Sequence, residues 1–356
     1  MDSDTRHMCA ALHLAGRGLG RVWPNPSVGC VIVKNGAVIA QARTANGGRP
    51  HAETQALEQA GEQAKGATVY VTLEPCAHTG KTPSCANALI KAKVAKVFVG
   101  TVDPDPRTAG KGIEKLKQAG IEVSVGLLEQ ECKTLNAGFF LHITQSRPLI
   151  VLKAACTRSG HLSPESGRWI TGEQALNRVH LERRKYDAIL IGIGTALADD
   201  PLLTSRLPAL DHEPVRVVLD SDLRLSEESL LIKSAKKIPL WLVYSDDPQG
   251  KTKSLEDRGV KLFKSTRHDL AAAMRVLAEQ GITRLLVEGG PAIHRAFMNA
   301  GLYDEMSLYR SHRHVKGIGD PVFSDESVQF QGQSKGLSVK TERIGEDSLE
   351  IWRRKV

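Results

Sequence analysis

Val28-Gly29-Cys30-Val31-Ile32-Val33-Lys34-Asn35-Gly36-Ala37-Val38-Ile39-Ala40 decides the fold of the first half of this chain. Two β-rich runs flank Asn35-Gly36, and both turn residues tolerate the positive φ of a tight hairpin. Upstream, residues 4–15 place Met8, Leu12 and Leu14 among alanines, the spacing of an amphipathic helix that ends at Gly16 and Gly18. Downstream, the pattern predicts a helix over 52–61, a strand over 68–72 and a helix over 84–92. A strand over 97–99, a helix over 112–119 and a strand over 121–125 close the series. Helices and strands alternating around a hairpin read as a three-layer α/β domain.

An apolar helix over 129–141 leads to Gln145-Ser146-Arg147-Pro148, which places a boundary near 146 and divides 1–146 from 147–356. The second half restarts with a strand over 149–152. Further strands are expected at 188–193, 215–219, 239–244 and 284–287, with helices at 173–184, 269–280 and 291–300. A terminal β-hairpin over 337–353 turns around Gly345-Glu346-Asp347. This half is also α/β.

The 356 residues suit two domains at about 150 residues each. Lysine and arginine number 48 against 40 acidic residues, a net charge of +8 that fits small phosphorylated ligands as well as nucleic acid. With 7 Phe, 5 Tyr and 4 Trp, the chain is poor in the aromatic platforms of a single-strand binder. No charge-free apolar run approaches the ~18 residues of a membrane span. Met1-Asp2-Ser3-Asp4 lacks the basic start of a signal peptide, so a cytoplasmic protein with reduced thiols is expected. Of cysteines 9, 30, 76, 85, 132 and 156, only Cys76 and Cys85 have metal company; the other four read as small buried thiols.

That company is His51-Ala52-Glu53 and Glu74-Pro75-Cys76, with Cys85 nine residues on. One histidine and two cysteines form a three-ligand zinc set with an open fourth position, the catalytic pattern. Zinc lowers the pKa of its water, and a neighbouring carboxylate, Glu53, can carry the proton to a ring nitrogen and a leaving amine. Entered from Pro50, the first turn of a helix lets His51 and Glu53 face one metal from different angles. Thr82-Pro83-Ser84-Cys85 reads as a helix start with Thr82 as cap, where orphan amides favour a Cys85 thiolate. His-x-Glu followed by Pro-Cys-x-x-Cys marks the zinc deaminases of nucleobases. Here the two cysteines are separated by eight residues instead of two.

Pro24-Asn25-Pro26-Ser27-Val28-Gly29-Cys30, His51-Ala52-Glu53, the run from Thr72 through Cys85, and Asp103-Pro104-Asp105-Pro106 resemble the bifunctional riboflavin-biosynthesis deaminase–reductases over nearly the whole chain. The resemblance implies a cytidine-deaminase-like first domain. In it Asn25 would hold the pyrimidine, and His78, Lys81, Asp103 and Asp105 would contact base or ribose phosphate. Ser84 stands where proline is usual, Asp105 where asparagine is usual, and Thr44 where histidine is common.

The second half has no complete G-x-G-x-x-G; Gly192-Ile193-Gly194-Thr195 continues Ala-Leu-Ala, and alone reads as a tight turn after a strand. Trp169-Ile170-Thr171-Gly172, the run from Thr195 to Arg206, Val218-Leu219-Asp220-Ser221 and Glu288-Gly289-Gly290-Pro291 resemble the same family's dihydrofolate-reductase-like domain, which uses NADPH. In the last of these, small residues let backbone amides at a helix start approach a phosphate. By resemblance, Lys153, Arg183, Leu203, Arg206 and Glu288 would bind the phosphorylated sugar. Ala155, Trp169, Thr195, Asp199, Ser221, Gly290, Pro291, Ala292, Ile293, His294 and Arg295 would bind the nucleotide. Thr157-Arg158-Ser159-Gly160 replaces the family's Ser-Leu-Asp-Gly, so an acid is missing.

The expected protein is therefore a zinc- and NADPH-dependent bifunctional enzyme. It would deaminate 2,5-diamino-6-(5-phosphoribosylamino)pyrimidin-4-one, then reduce the ribosyl chain to ribityl, with a small phosphorylated pyrimidine as partner and neither nucleic acid nor membrane. Lys153 and Asp199 are the first candidates for the reductase proton donor. The rival readings are a deaminase with a non-catalytic second domain and an RNA-editing deaminase with a binding domain; a homo-oligomer is left open.

Overall fold

The computed structural model comprises two compact units, Met1–Ser146 and Arg147–Val356. The structure describes residues 1–77, 84–162, 165, 169–206, 212–312, 316–318 and 337–354.

In the first unit, helix α1 (Ser3–Gly16) is capped by Asp2, whose side chain accepts from Thr5 N–H. Strands β1 (Gly29–Lys34) and β2 (Ala37–Arg43) form the expected hairpin, with Asn35 at φ 51° and Gly36 at φ 78°. Helix α2 (Ala52–Ala60), β3 (Thr68–Val71), α3 (Cys85–Lys91), β4 (Lys96–Val99), α4 (Lys111–Gln118) and β5 (Glu122–Val125) follow. The sheet runs β2-β1-β3-β4-β5, antiparallel across β2-β1-β3 and parallel from β3 to β5.

The two-residue period of β1 divides the core. Cys30 and Ile32 face a cluster with Ala52 and Ala56 of α2, Leu89 of α3 and Leu116 of α4. Val31 and Val33 face the other cluster with Met8 and Ala11 of α1. Helices cover both faces, giving the three layers. A Cβ on Gly29 would come within 1.9 Å of Ala11 O, so α1 lies closely on the sheet only because that residue is glycine.

One expectation fails here. The helix over 129–141 is two helices, α5 (Glu129–Leu135) and α6 (Ala137–Gln145), broken at Asn136. Its buried amide accepts from Ser27 N–H at 2.9 Å and donates to Ser27 C=O at 3.0 Å. A side chain clamped to distant backbone outweighs helix continuity.

The second unit contains β6 (Leu149–Cys156), α7 (Glu173–Arg183), β7 (Ala188–Gly192), α8 (Ile193–Asp199), β8 (Val215–Leu219), α9 (Leu230–Lys233), β9 (Leu240–Tyr244) and α10 (Thr252–Asp257). It continues with β10 (Val260–Lys264), α11 (Leu270–Glu279), β11 (Arg284–Val287), α12 (Pro291–Asn299), β12 (Glu305–Arg310), β13 (Leu337–Ile344) and β14 (Asp347–Arg354). Among the described residues the sheet order is β10-β9-β8-β7-β11-β6-β12-β14-β13, parallel as far as β12 and closed by the expected hairpin. Strand β6 outruns its expected length because β11 flanks only its first half, Leu149 to Leu152, while β12 pairs with it from Val151 to Cys156. The Gly192-Ile193-Gly194 segment leads from β7 into α8, not into a loop.

Candidate active sites

In the first unit, one end of the sheet gathers three donors. His51 is the N-cap residue of α2, with extended backbone (φ −70°, ψ 159°), so its ring projects away from the helix while Glu53 follows in the first turn. Cys76 lies in the loop after β3, and Cys85 is the first residue of α3. The cap of α3 is Ser84, whose side chain accepts from Asn87 N–H; the expected Thr82 cap is thereby corrected. Thr82 and Pro83, like His78 and Lys81, lie outside the described residues.

His51 Nδ1 is 3.3 Å from Cys85 Sγ and 3.7 Å from Cys76 Sγ, and the three ligand atoms all fall within 4.8 Å. Tetrahedral zinc with ordinary bond lengths separates nitrogen and sulfur ligands by about 3.6 Å. The donor chemistry fits as well. Hydrogen bonding from Cys85 holds the Cys76 thiol down to about 4, while the same contact and burial push Cys85 well up. Two cysteine sulfurs this close, one favouring its thiolate and the other its thiol, are a donor pair that a metal cation would stabilise as two thiolates. Burial pushes the Glu53 carboxyl up to about 7, with His51 opposing. Cys30 lies buried in β1, its thiol raised by burial and then by Glu53, as a structural cysteine should be.

The expected substrate residues around this centre are placed as follows. Asn25 packs on Gly48, where a Cβ would come within 2.0 Å of Asn25 Nδ2. Thr44 Oγ1 accepts from Val28 N–H at 2.9 Å and bonds to Pro26 C=O at 3.2 Å, so it secures the loop that carries Asn25. Asp103 and Asp105 are buried, and burial raises Asp103 to about 6. Asp105 accepts from both the backbone and the guanidinium of Arg107. Arg107 is a partner that reading the sequence missed, although a cation two residues after Asp105 was a visible signal.

In the second unit, Glu288 follows β11 and receives two cations. Arg183 donates to its carboxylate through Nε (2.8 Å) and Nη2 (3.0 Å), and Lys153 Nζ stands 3.4 Å away. Although burial raises it, these cations hold the Glu288 carboxyl well below the usual range. Burial pulls Lys153 down. Arg183 also donates to Thr204 C=O at 2.6 Å, so most of its fork is committed within the protein, not presented to a phosphate. Arg206 is exposed. The Leu203 side chain belongs to the core, at φ 53°, which leaves only its backbone for a ligand. His180 Nδ1 and Ser205 Oγ, flanking Arg183 and Arg206 in sequence, are buried with no hydrogen-bond partner among the described residues.

A cavity of about 860 Å³ opens beyond the carboxyl ends of β7, β8 and β9, lined by Gly192, Ile193, Ser221, Tyr244, Ala292 and Ile293 among others. This is where open parallel sheets place ligands. Gly289 adopts φ +128°, and a Cβ there would come within 2.8 Å of Thr195 Oγ1, which accepts from Gly290 N–H. Gly290 caps α12 with Pro291 in its first turn. Small residues thus form a cradle suited to a dinucleotide. The His294 ring is fully buried, its nitrogens at 3.0 Å from the carbonyls of Gly290 and Lys153, so the side chain braces the cradle from within. Trp169, Asp199 and Arg295 are exposed, Ala155 is partly buried in β6, and Asp199 has no contact with the Glu288 cluster among those described. At the position of the missing acid, Ser159 Oγ lies 2.9 Å from His161 Nδ1.

A His–Cys–Cys centre with a buried carboxylate, on one unit, and a dinucleotide cradle on a dihydrofolate-reductase-like unit define a zinc deaminase joined to a nicotinamide-dependent reductase. Residues 1–101 match the cytidine and deoxycytidylate deaminase zinc-binding region, and residues 148–348 match the RibD C-terminal domain. The chain belongs to the RibD family of bifunctional riboflavin-biosynthesis enzymes. It is 39% identical over 353 residues to the riboflavin biosynthesis protein RibD of Aquifex aeolicus, covering 99% of this chain and 98% of that one. A solved structure of Acinetobacter baumannii RibD is 35% identical with a TM-score of 0.85, over 99% of both chains. The diaminohydroxyphosphoribosylaminopyrimidine deaminase/5-amino-6-(5-phosphoribosylamino)uracil reductase of Thermotoga maritima is 34% identical with a TM-score of 0.87, again over 99% of both.

Proposed function

We propose that the first unit deaminates 2,5-diamino-6-(5-phosphoribosylamino)pyrimidin-4-one and that the second reduces the ribosyl chain of the product with NADPH. The observation that carries this reading is the His51–Cys76–Cys85 cluster beside buried Glu53, in one chain with a reductase unit. His51, Cys76 and Cys85 would hold zinc, which when bound would supply an activated water near neutral pH. Glu53, kept dry and therefore high in pKa, would take one proton from the attacking water and give it to the ring nitrogen, then take a second from the newly added hydroxyl and give it to the departing amine, which leaves as ammonia. Asn25 and Asp103 orient the base, while Asp105, neutralised by Arg107, faces the ribose side.

In the second unit, bound NADPH would be the source of the hydride for the ribose C1′. Thr195, Ser221, Gly290, Pro291, Ala292 and Ile293 seat the nucleotide, with Ala155, Trp169 and Arg295 at its margins. Lys153 is the proton donor that accompanies the hydride, its ammonium held by Glu288. Arg183 orients Glu288, and Arg206 is the cation that meets the substrate phosphate. The enzyme works in the cytoplasm, a setting supported by six free cysteines.

Glu53→Gln tests the reading. Deamination falls by a factor of about 10²–10⁴ or more, zinc stays bound, and NADPH oxidation continues when the deaminated intermediate is supplied. Simultaneous loss of both activities would overturn the assignment of one reaction to each unit.

A further inference from the structure

Glu74 is buried, two residues before Cys76, and its carboxylate is filled entirely by backbone donors. Oε2 accepts from Asp103 N–H at 3.2 Å and Gly110 N–H at 2.9 Å; Oε1 accepts from Gly112 N–H at 2.9 Å and Ile113 N–H at 3.2 Å. A carboxylate has about four lone-pair sites, so none remains. Gly112 and Ile113 lie in the first turn of α4, where amides have no partner within the helix. The helix's own N-cap is Gly110, at φ 79°, with no side chain to satisfy them. Glu74 supplies that cap from across the fold.

The same carboxylate starts a chain of contacts toward the substrate. Asp103, whose amide it holds, accepts from Asp105 N–H at 2.8 Å, and Asp105 in turn accepts from Arg107 N–H at 2.9 Å. The loop over 103–107 therefore hangs on Glu74. The seat is shaped from the other side too: a Cβ on Gly112 would come within 2.0 Å of Pro75 O and 3.2 Å of Glu74 Oε1.

We infer that Glu74 is a positioning residue of the deaminase, fixing the Asp103–Asp105 loop and the start of α4 against the segment that carries Cys76. The inference rests on the proposed role of the Asp103–Asp105 loop, not of Asp103 alone, in holding substrate. Two acceptor oxygens are required, because an amide presents hydrogens to one of the two N–H pairs. The loop then shifts, and substrate binding suffers more than the chemical step.

The test uses the full chain carrying Glu74→Gln, Gly112→Ala or Asp103→Asn. Zinc content, kcat and KM of deamination, and NADPH oxidation with supplied intermediate are measured on each. Glu74→Gln and Gly112→Ala each raise KM about tenfold with kcat changed less than about threefold, full zinc and unaltered NADPH oxidation. Unchanged KM in Glu74→Gln, or loss of zinc with KM intact, overturns the inference. Should Glu74→Gln fail to fold, Gly112→Ala decides alone, since it disturbs the seat while leaving the carboxylate. If Asp103→Asn leaves KM unchanged while Glu74→Gln raises it, the assignment of Asp103 fails and the role of Glu74 stands.

Discussion

Replacing Glu288 by glutamine removes the carboxylate that Arg183 and Lys153 share. The three side chains are 10%, 11% and 16% exposed, so the charges left behind have little access to water. Breaking a buried ion pair on one side costs about 3–5 kcal/mol. Glutamine keeps one oxygen for Arg183, which puts the expected loss near the lower end, about 3 kcal/mol. For a unit of this size each kcal/mol lowers the midpoint by about 2–4 °C, so the second unit melts about 6–12 °C earlier. Residual NADPH oxidation after heating follows that unit, and residual deamination serves as the internal reference. The pH dependence has a definite sign. Because the folded pKa of Glu288 lies below its unfolded value, its stabilisation is full above that unfolded value and is lost as pH falls toward the folded one. The gap between the parent and Glu288→Gln is therefore complete at pH 7 and narrower by about 1 kcal/mol at pH 4. A midpoint shift below about 2 °C at pH 7, or a gap that widens in acid, would refute the reasoning.

Three further outcomes are expected. Arg216→Met destabilises the second unit by at least about 3 kcal/mol in urea titration, because fully buried Arg216 donates to the carbonyls of Leu202, Leu231, Ile238 and Pro239 and to Ser234 Oγ; a loss under about 1 kcal/mol contradicts this. Gly48→Ala, at φ +85° and against Asn25, raises the KM of deamination about tenfold and leaves NADPH oxidation unchanged. Gly289→Ala, at φ +128° and against Thr195, raises the Kd for NADPH about tenfold in fluorescence titration with deamination unaltered; equal affinity would remove the cradle from cofactor binding.

The hairpin was legible because Asn35-Gly36 states its own turn, and most helices and strands because their apolar periods are clean. Strand β10, Val-Lys-Leu-Phe-Lys, was passed over: its lysines blunt an edge, so it reads as polar loop. Asn136 was illegible as a helix break, since its cause lies 109 residues away at Ser27. The metal triad could be read because metal ligands are few in kind and fall at element ends. Arg183, Leu203 and His294 were expected at the ligand by resemblance; that their side chains turn inward, onto Glu288, the core and two carbonyls, carries no sign in the sequence. Glu74 went unread for the same reason: nothing local marks four amides arriving from residues 103–113.

Zinc measured together with both half-reactions on one purified sample tests the central claim most directly. Chelation removes the metal held by His51, Cys76 and Cys85, abolishes deamination, leaves NADPH oxidation of the supplied intermediate intact, and re-added zinc restores the lost activity. Deamination that survives in the zinc-free chain, or NADPH oxidation that disappears with the metal, would contradict the account.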